Sequence, residues 1–436
     1  MLKKVLFYGF GPSHITYKKI IDSCEWIDEK FCISQTSSFA IQEKLIFGKE
    51  NHLSLEEIFY HNTDNLSVDP SIIDSDKRRF NKKSGSFKDI YYENIYKIIL
   101  NAIEKFDPNL IVFSKHAESP DGLILSEIAR QKNILCAMPH QLRFLGGSIF
   151  SHSPYEGDII YNEKFEKLKF EIIKGEHFQL YKGVSPQNKN KKSLMGRISR
   201  FLELLRNRPK SFTLELIKWK FEDFIKYREF KKQLNIIFYR RISIKPEYSK
   251  NYIYYPLHVS PEASINIPGP YYKDQLRAVD EIRYNLPKNT LLYIKEHPIG
   301  FYRQKNSFYN ELLKKSRVRL IDHNVSSKEL ILNAKCVVSV TGTACLEAFI
   351  WGIPSVTLSK SFFSTFLINE IIDIKNDTLN KPSIDEINKA LSMIKNNSFD
   401  FVSSTPDYYD LTLTKNFRNY INGLETFLKT RGYLTI

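Results

Sequence analysis

The 436-residue sequence contains no run of about 18 apolar residues, the length that a helix needs to cross a lipid bilayer. Its first apolar run, Val5 to Tyr8, follows a charged start and is broken at once by Gly9 and Gly11. This pattern favours a buried first strand over a secretory leader. We therefore expect a cytoplasmic protein.

Cysteine is also scarce, and none of the five cysteines forms a CxxC pair. Each lies among apolar residues, which predicts reduced core side chains rather than disulfides or metal ligands. Asp74 and Asp76 have the DxD spacing that binds divalent cations in some glycosyltransferases, but Lys77, Arg78 and Arg79 follow directly and oppose a cation. We expect neither a metal nor a resident cofactor. The fragment Gly9-Phe-Gly11 is too short to indicate NAD binding.

Positive charge is concentrated rather than spread. The net charge is +15, and residues 186–250 hold 18 Lys and Arg against 6 Asp and Glu. Such a segment favours an anionic partner such as a membrane surface or a phosphorylated lipid; the alternative is a solvated helical face. Apolar residues keep helical spacing inside it, from Leu194 to Leu205. Nucleic acid is not expected, because the segment lacks a recognised module and aromatics arranged for base stacking.

The hydrophobic pattern indicates an α/β fold. Short β-rich runs alternate with helical patterns in the C-terminal half, and less regularly in the N-terminal half, which predicts βαβ units with parallel sheets. We expect two Rossmann-like, doubly wound domains. Their predicted order is an N-terminal domain over 1–185, a basic helical connector over 186–250, a nucleotide-binding domain over 251–400, and a helical segment over 401–436 that packs back on the first domain.

The strongest site pattern is the stretch from Ser339 to Ala348. A buried strand ends there, glycine turns the chain and a helix begins, so that backbone N–H groups and the positive end of the helix dipole point at one place. A phosphate suits this place. Hydroxyls at Thr341 and Thr343 flank Gly342, and Glu347 lies one turn further on, where it can accept hydrogen bonds from ribose. The alternative is an ordinary helix N-cap at Thr343.

Two further loops follow predicted strands of the same domain. In Lys295-Glu-His-Pro298, proline restrains the loop, and His297 can donate to a phosphate oxygen or protonate it as it leaves. In the loop 256–264, His258, Glu262 and Ser264 are placed to face the same cleft, although a purely structural loop fits them nearly as well.

The N-terminal half offers polar side chains at corresponding places. His116, Glu118 and Asp121 follow a strongly apolar strand, and each is a candidate general base; Asp121 is equally a candidate helix N-cap. The turn with Gly11, Ser13 and His14 follows the first strand and is placed to line the cleft.

Taken together, the motifs over about 252–358 resemble the bacterial capsule polysaccharide biosynthesis proteins, which include Kdo transferases. They are Tyr255-Pro-Leu-His258, Asp274-Gln275, Lys295-Glu-His-Pro298, Val340-Thr-Gly-Thr343 with Glu347, and Gly352-Ile-Pro354. The resemblance implies a GT-B fold, a donor in the C-terminal domain, an acceptor in the N-terminal domain and a metal-independent reaction. It also implies that His297, Ser339, Thr341, Gly342 and Thr343 hold the nucleotide phosphate, and that CMP activates an acidic keto-sugar.

The leading hypothesis is a glycosyltransferase that moves such a sugar to a capsule or lipopolysaccharide glycan, held at the inner membrane by residues 186–250. The alternatives are a GT-B-like epimerase, a polyol-phosphate transferase with a CDP donor, and a non-catalytic glycan-binding protein of polysaccharide export.

Overall fold

The structure is a computed structural model. It describes residues 2–9, 14–34, 40–55, 85–114, 117, 119–142, 147–161, 227–259, 263–298, 300–401 and 415–435.

The chain divides into two compact units, of which the first is discontinuous. Unit 1 comprises residues 1–187 and 391–436, and unit 2 comprises residues 188–390. The chain therefore leaves unit 1, forms the whole of unit 2, and returns to unit 1 with its last segment.

Unit 1 is built on a six-stranded sheet of order β3-β2-β1-β4-β5-β6, in which β6 is antiparallel to β5 and the other pairs are parallel. Its strands are β1 (Lys4–Tyr8), β2 (Glu29–Ser34), β3 (His52–Ser54), β4 (Leu110–Phe113), β5 (Leu135–Gln141) and β6 (Ser148–Ser151). The described helices that precede unit 2 are α1 (His14–Ser23), α2 (Ala40–Phe47), α3 (Gly85–Phe106) and α4 (Pro120–Gln131).

Unit 2 is built on a five-stranded parallel sheet of order β11-β10-β7-β8-β9. Its strands are β7 (Tyr252–Pro256), β8 (Leu291–Lys295), β9 (Val318–Leu320), β10 (Cys336–Ser339) and β11 (Ser355–Thr357). Its described helices are α5 (Tyr227–Ile242), α6 (Ala263–Asn266), α7 (Gln275–Tyr284), α8 (Asn306–Leu313), α9 (Ser327–Leu332), α10 (Thr343–Ile350) and α11 (Ile371–Asn376). Helix α12 (Ile384–Asn396) spans the boundary with unit 1.

The central strands form because their residues are apolar on both faces. Every residue of β4 and β10 is buried, as expected for parallel strands covered by helices on both sides. Local chemistry sets the helix starts: the Asp274 carboxylate accepts the Leu276 N–H at 3.1 Å and caps α7. The prediction of two doubly wound α/β domains is confirmed.

The returning segment completes the core of unit 1. Helix α13 (Lys415–Thr430) packs against the sheet through buried Tyr420, Leu424 and Leu428. A Cβ on Gly423 would lie 2.9 Å from the Phe399 ring, so this close approach requires glycine. The buried side chains of α13 belong to one hydrophobic cluster of unit 1. Its other members include Val5, Phe7, Val112, Phe150 and Phe401.

Among the described helices, none combines the length and the apolar character that crossing a membrane requires.

Candidate functional site

The unit 2 site lies where the strand order reverses. From β7 the chain proceeds to β8 and β9 on one side of the sheet, whereas β10 and β11 lie on the other side. Adjacent strands β7 and β10 therefore send their following loops in opposite directions, and a crevice opens at their carboxyl ends. Ligands of doubly wound proteins bind in such crevices.

The turn after β10 is shaped by a buried serine. The Ser339 hydroxyl accepts the Gly342 N–H at 2.9 Å and donates to the Gly342 carbonyl at 3.2 Å. It also lies 3.1 Å from the Cys345 sulfur, and the residue is fully buried. The buried Ser339 hydroxyl therefore fixes the conformation of the turn.

Helix α10 begins at this turn without a side-chain cap. Gly342 is its N-cap, with extended backbone (φ −72°, ψ 142°), and makes no side-chain capping bond. The first-turn N–H groups of an α-helix have no acceptor within the helix, and the helix dipole adds positive potential. An anion bound here would complete the missing hydrogen bonds. Thr341 and Thr343 are half-buried on either side of the glycine.

His258, which follows β7, is fixed against the same turn. Its Nε2 accepts the Val340 N–H at 3.2 Å, so this nitrogen carries no proton and the neutral ring is protonated on Nδ1. A Cβ on Gly342 would lie 3.3 Å from His258 Cε1, so the loop after β7 packs closely against the turn. The two loops of the crevice are thus joined by an imidazole.

Gln275 fixes the backbone of His258 through two hydrogen bonds. Its Oε1 accepts the His258 N–H at 2.7 Å, and its Nε2 donates to the His258 carbonyl at 2.9 Å. Gln275 is 2% exposed and is the first residue of α7. The sequence analysis assigned it no role, because only the packing of α7 brings its amide to the loop after β7.

Glu347 supplies an unpaired carboxylate one turn into α10. It is half-buried, and the described part of the chain offers it no hydrogen-bond or ionic partner. Burial without compensation raises the pKa of Glu347 to about 7. A carboxylate in this position is suited to accepting hydrogen bonds from ligand hydroxyls.

In the loop after β8, the backbone of His297 is hydrogen-bonded to the buried carboxylate of Glu296. His297 is exposed, and its N–H donates to Glu296 Oε1 at 2.7 Å. The Tyr309 hydroxyl donates to Glu296 Oε2 at 2.6 Å. Glu296 is 1% exposed, and burial raises its pKa to about 7. The sequence analysis missed Glu296, whose only signal was a charged residue directly after a buried strand.

The same loop is closed by a second bond and by close packing. The Gly300 N–H donates to the His297 carbonyl at 2.7 Å. A Cβ at Gly300 would lie 2.0 Å from Glu296 Oε1, so a side chain there would displace the carboxylate. The backbone that carries exposed His297 and Pro298 is therefore held by hydrogen bonds and close packing.

Lys295 faces into the fold. Its ammonium donates to the Val325 carbonyl at 2.6 Å and to the Ser327 hydroxyl at 2.9 Å, and the residue is 8% exposed. Burial lowers the pKa of Lys295. These bonds tie the end of β8 to the segment before α9.

Unit 1 has a corresponding polar cluster where β1 and β4 diverge. Asp121, in the first turn of α4, is 2% exposed and accepts the Tyr8 hydroxyl at 2.7 Å. Gly9 ends β1 with φ +78°, and the Ser114 hydroxyl donates to its carbonyl at 2.5 Å. Asp121 is therefore held at a helix N-terminus and at a reversal of strand order, as the sequence pattern predicts for a ligand site.

The other predicted site residues are not placed. Gly11, Ser13, His116, Glu118 and Glu262 lie outside the described residues, as do Asp74 and Asp76. His14 begins α1 and Ser264 lies in α6, but their side chains are not described. Within the described ranges, no three His, Cys, Asp or Glu side chains are grouped to hold a metal ion. Metal independence stays a prediction.

Comparison with protein families gives a match over the segment that forms this crevice. Residues 225–370 match the model for the capsule polysaccharide biosynthesis proteins. Over this segment the chain is similar to that family. The match confirms the resemblance inferred from the motifs. The matched segment contains His258, Gln275, His297, the Ser339–Thr343 turn and Glu347.

One curated relative matches over a short stretch. Protein FixF of Sinorhizobium fredii (strain NBRC 101917 / NGR234) is 29% identical over 115 residues, which are 26% of this chain and 27% of the relative. The chain therefore spans about a quarter of the length of the curated relative that it matches.

Solved structures align along the whole chain but only loosely. The KpsC beta Kdo 2,7 transferase of Thermosulfurimonas dismutans aligns at 13% identity with a TM-score of 0.37, over 97% of this chain and 99% of that chain. UDP-GlcNAc 2-epimerase from Neisseria meningitidis, bound to UDP-GlcNAc, aligns at 14% identity with a TM-score of 0.24, over 99% of both chains. Similarity this loose carries no argument about function, and the fold rests on the topology described above.

Proposed function

We propose that the protein is a glycosyltransferase whose unit 2 binds a CMP-activated acidic keto-sugar such as Kdo. The sugar would pass to a capsule or lipopolysaccharide glycan. The observation that carries the proposal is the uncapped start of α10 at the β7/β10 crevice, with the partnerless Glu347 carboxylate one turn away. The match of residues 225–370 to the capsule polysaccharide biosynthesis family supports the same reading.

Each donor group has a proposed partner in the crevice. The phosphate accepts first-turn amides of α10 and the hydroxyls of Thr341 and Thr343. Glu347 accepts the ribose hydroxyls. His297 donates to the phosphate and stabilises it as the glycosidic bond to the sugar breaks. Ser339 and His258 keep the turn in shape, since both are already bonded within it.

The acceptor hydroxyl needs a base, and Asp121 of unit 1 is the described candidate. Its carboxylate is buried and already oriented by the Tyr8 hydroxyl. His116 and Glu118 remain candidates from the sequence. In this proposal no metal takes part, the nucleotide-sugar is the substrate, and residues 186–250 hold the enzyme near an anionic lipid-linked acceptor at the inner membrane.

A thermal-shift screen of CMP, CDP, UDP and GDP against the purified chain tests the donor. A ligand that binds the native state at about 100 times its Kd stabilises it by about 2.7 kcal/mol. We expect CMP to raise the melting temperature more than UDP or GDP, and Glu347→Gln to reduce that rise. Equal shifts for all four nucleotides, or none, would count against the proposal, and a response led by UDP would indicate an epimerase-type substrate.

Transfer itself is tested with CMP-Kdo and a capsule or lipopolysaccharide acceptor, in the presence and absence of EDTA. We expect product in both conditions. Activity that EDTA abolishes and magnesium or manganese restores would overturn metal independence, and nucleotide binding without any transfer would favour a binding protein of polysaccharide export.

A further inference from the structure

A nearby cation would further stabilise a phosphate at the start of α10, but the lysine that the motif suggests is engaged elsewhere. Lys295 donates to Val325 and Ser327 and is almost fully buried. Moving its ammonium to a ligand would break both bonds and leave their acceptors unpaired. A lysine that pairs with this phosphate would therefore be a residue other than Lys295.

The segment after β11 runs alongside the phosphate turn. The Leu358 N–H donates to the Ser339 carbonyl at 2.9 Å, and the Ser359 N–H donates to the Val340 carbonyl at 3.0 Å. The Ser359 hydroxyl donates to the Pro268 carbonyl, which fixes it from the other side. Backbone pairing between the segments that follow β10 and β11 thus continues past the end of β10. It brings the next residue, Lys360, beside the turn.

Lys360 is the exposed residue of an anchored segment. The Ser361 N–H donates to the Ser364 hydroxyl at 2.8 Å, and Phe363 is fully buried. Lys360 itself is exposed between these anchors. Its backbone is held while its side chain reaches solvent at the carboxyl edge of the sheet. A flexible ammonium on a fixed backbone is suited to meeting a phosphate as a point charge.

We propose that Lys360 is a phosphate-binding residue of the unit 2 site. Its ammonium pairs with the phosphate that the first-turn amides of α10 hold. The inference rests on the proposed function, because it assumes a phosphate-bearing ligand in this crevice, but it needs no particular sugar or base.

Calorimetric titration of the full chain separates Lys360 from the rest of the site. The variants are Lys360→Gln, Lys360→Arg and the control Lys288→Gln. The control removes an exposed lysine that precedes β8 and so lies at the amino ends of the strands of the same sheet. The probes are CMP, cytidine and inorganic pyrophosphate. We expect Lys360→Gln to weaken CMP and pyrophosphate binding about tenfold, as loss of a charge-assisted hydrogen bond implies, and to leave cytidine unchanged. Lys360→Arg and Lys288→Gln should stay close to the parent.

The outcomes separate this inference from the proposed function. If Lys360→Gln binds CMP and pyrophosphate as tightly as Lys288→Gln does, Lys360 is not a phosphate ligand, whatever the function. If Lys360→Gln loses affinity for pyrophosphate but the parent shows no preference for CMP over other nucleotides, Lys360 is supported and the CMP donor fails. If the parent binds no phosphate compound at all, both proposals fail.

Discussion

At the scale of single residues, His297 carries the sharpest test of the donor site. Its side chain is exposed, whereas its backbone is held by Glu296 and Gly300. If the imidazole donates to the donor phosphate, His297→Ala removes a charge-assisted bond of roughly 1.5–3 kcal/mol. We expect transfer to fall roughly ten- to a hundred-fold while the melting temperature changes little. Turnover and thermal unfolding, measured on the same preparation, check this.

The opposite pattern would assign His297 to structure. A variant with a lower melting temperature but full turnover per folded molecule would remove His297 from the donor site.

Glu347 predicts a pH dependence of ribose binding. Burial raises its pKa to about 7, so the carboxylate fraction grows as pH rises from 6 to 8. Hydrogen bonds to a charged group exceed those to a neutral one by roughly 1 kcal/mol. We expect affinity for cytidine to rise about three- to fourfold over this range. Cytidine is the suitable probe, because it has the ribose but no phosphate that titrates.

Glu347→Gln is the control for this titration, because it keeps the shape of the side chain and cannot ionise. Its affinity for cytidine should be low and independent of pH. A pH profile in the variant that equals that of the parent would show that another group titrates.

Residue roles were only partly predictable from sequence. The turn at 339–343 was recognisable because strand, glycine and helix follow one another within the chain. Gln275 and Glu296 were not, because their partners lie at 258 on another loop and at 309 on another helix. Lys295 shows the same limit in reverse: its motif suggested a ligand, and the fold turns its ammonium inward.

At the scale of elements, apolar content decided what could be predicted. The strands β4, β7 and β10 are short runs of mostly apolar residues, which the hydrophobic pattern of the sequence indicates directly. The strand β2 begins with Glu29-Lys30, and β6 is a short antiparallel strand rich in serine, so neither was predicted. Their place depends on the neighbouring strand more than on their own composition.

Helix α13 gives the element-scale prediction. Leu424 is fully buried in the cluster that joins this helix to the unit 1 sheet. Leu424→Ala removes buried methyl groups and leaves a cavity, which costs about 2–5 kcal/mol. We expect the unfolding transition of unit 1 to move to lower temperature in calorimetry.

Leu332→Ala, in partly exposed α9 of unit 2, is a matched control that should move neither transition appreciably. An unshifted unit 1 transition in Leu424→Ala would mean that α13 contributes little to that unit.

At the scale of the whole molecule, the charge of +15 is the feature to test. Residues 186–250 hold a surplus of basic residues, and most of them lie outside the described ranges. Each Lys or Arg near an anionic surface contributes about 1 kcal/mol. We expect reversal of Lys189, Lys191, Lys192, Arg197 and Arg200 to weaken binding to vesicles that contain anionic lipid, as measured by sedimentation, without unfolding the chain.

A control with the same net charge distinguishes a local patch from the overall charge. An equal number of exposed lysines outside the segment 186–250 is reversed instead, among them Lys288, Lys375 and Lys381. Equal loss in both variants would mean that the total charge, rather than the segment 186–250, attracts the vesicle. No loss in either would leave the segment a plain connector.

The discontinuity of unit 1 also has a temporal side. A ribosome makes residues 1–187 first, yet α13 begins only at residue 415, after the whole of unit 2 has emerged. At about 5–20 residues per second, the nascent sheet waits for its last helix for roughly 10–45 seconds. Throughout that interval the apolar side chains that Leu424 and its neighbours later cover lack those partners. The portion synthesised earliest is therefore completed last, and during translation it is the portion that most needs protection from aggregation.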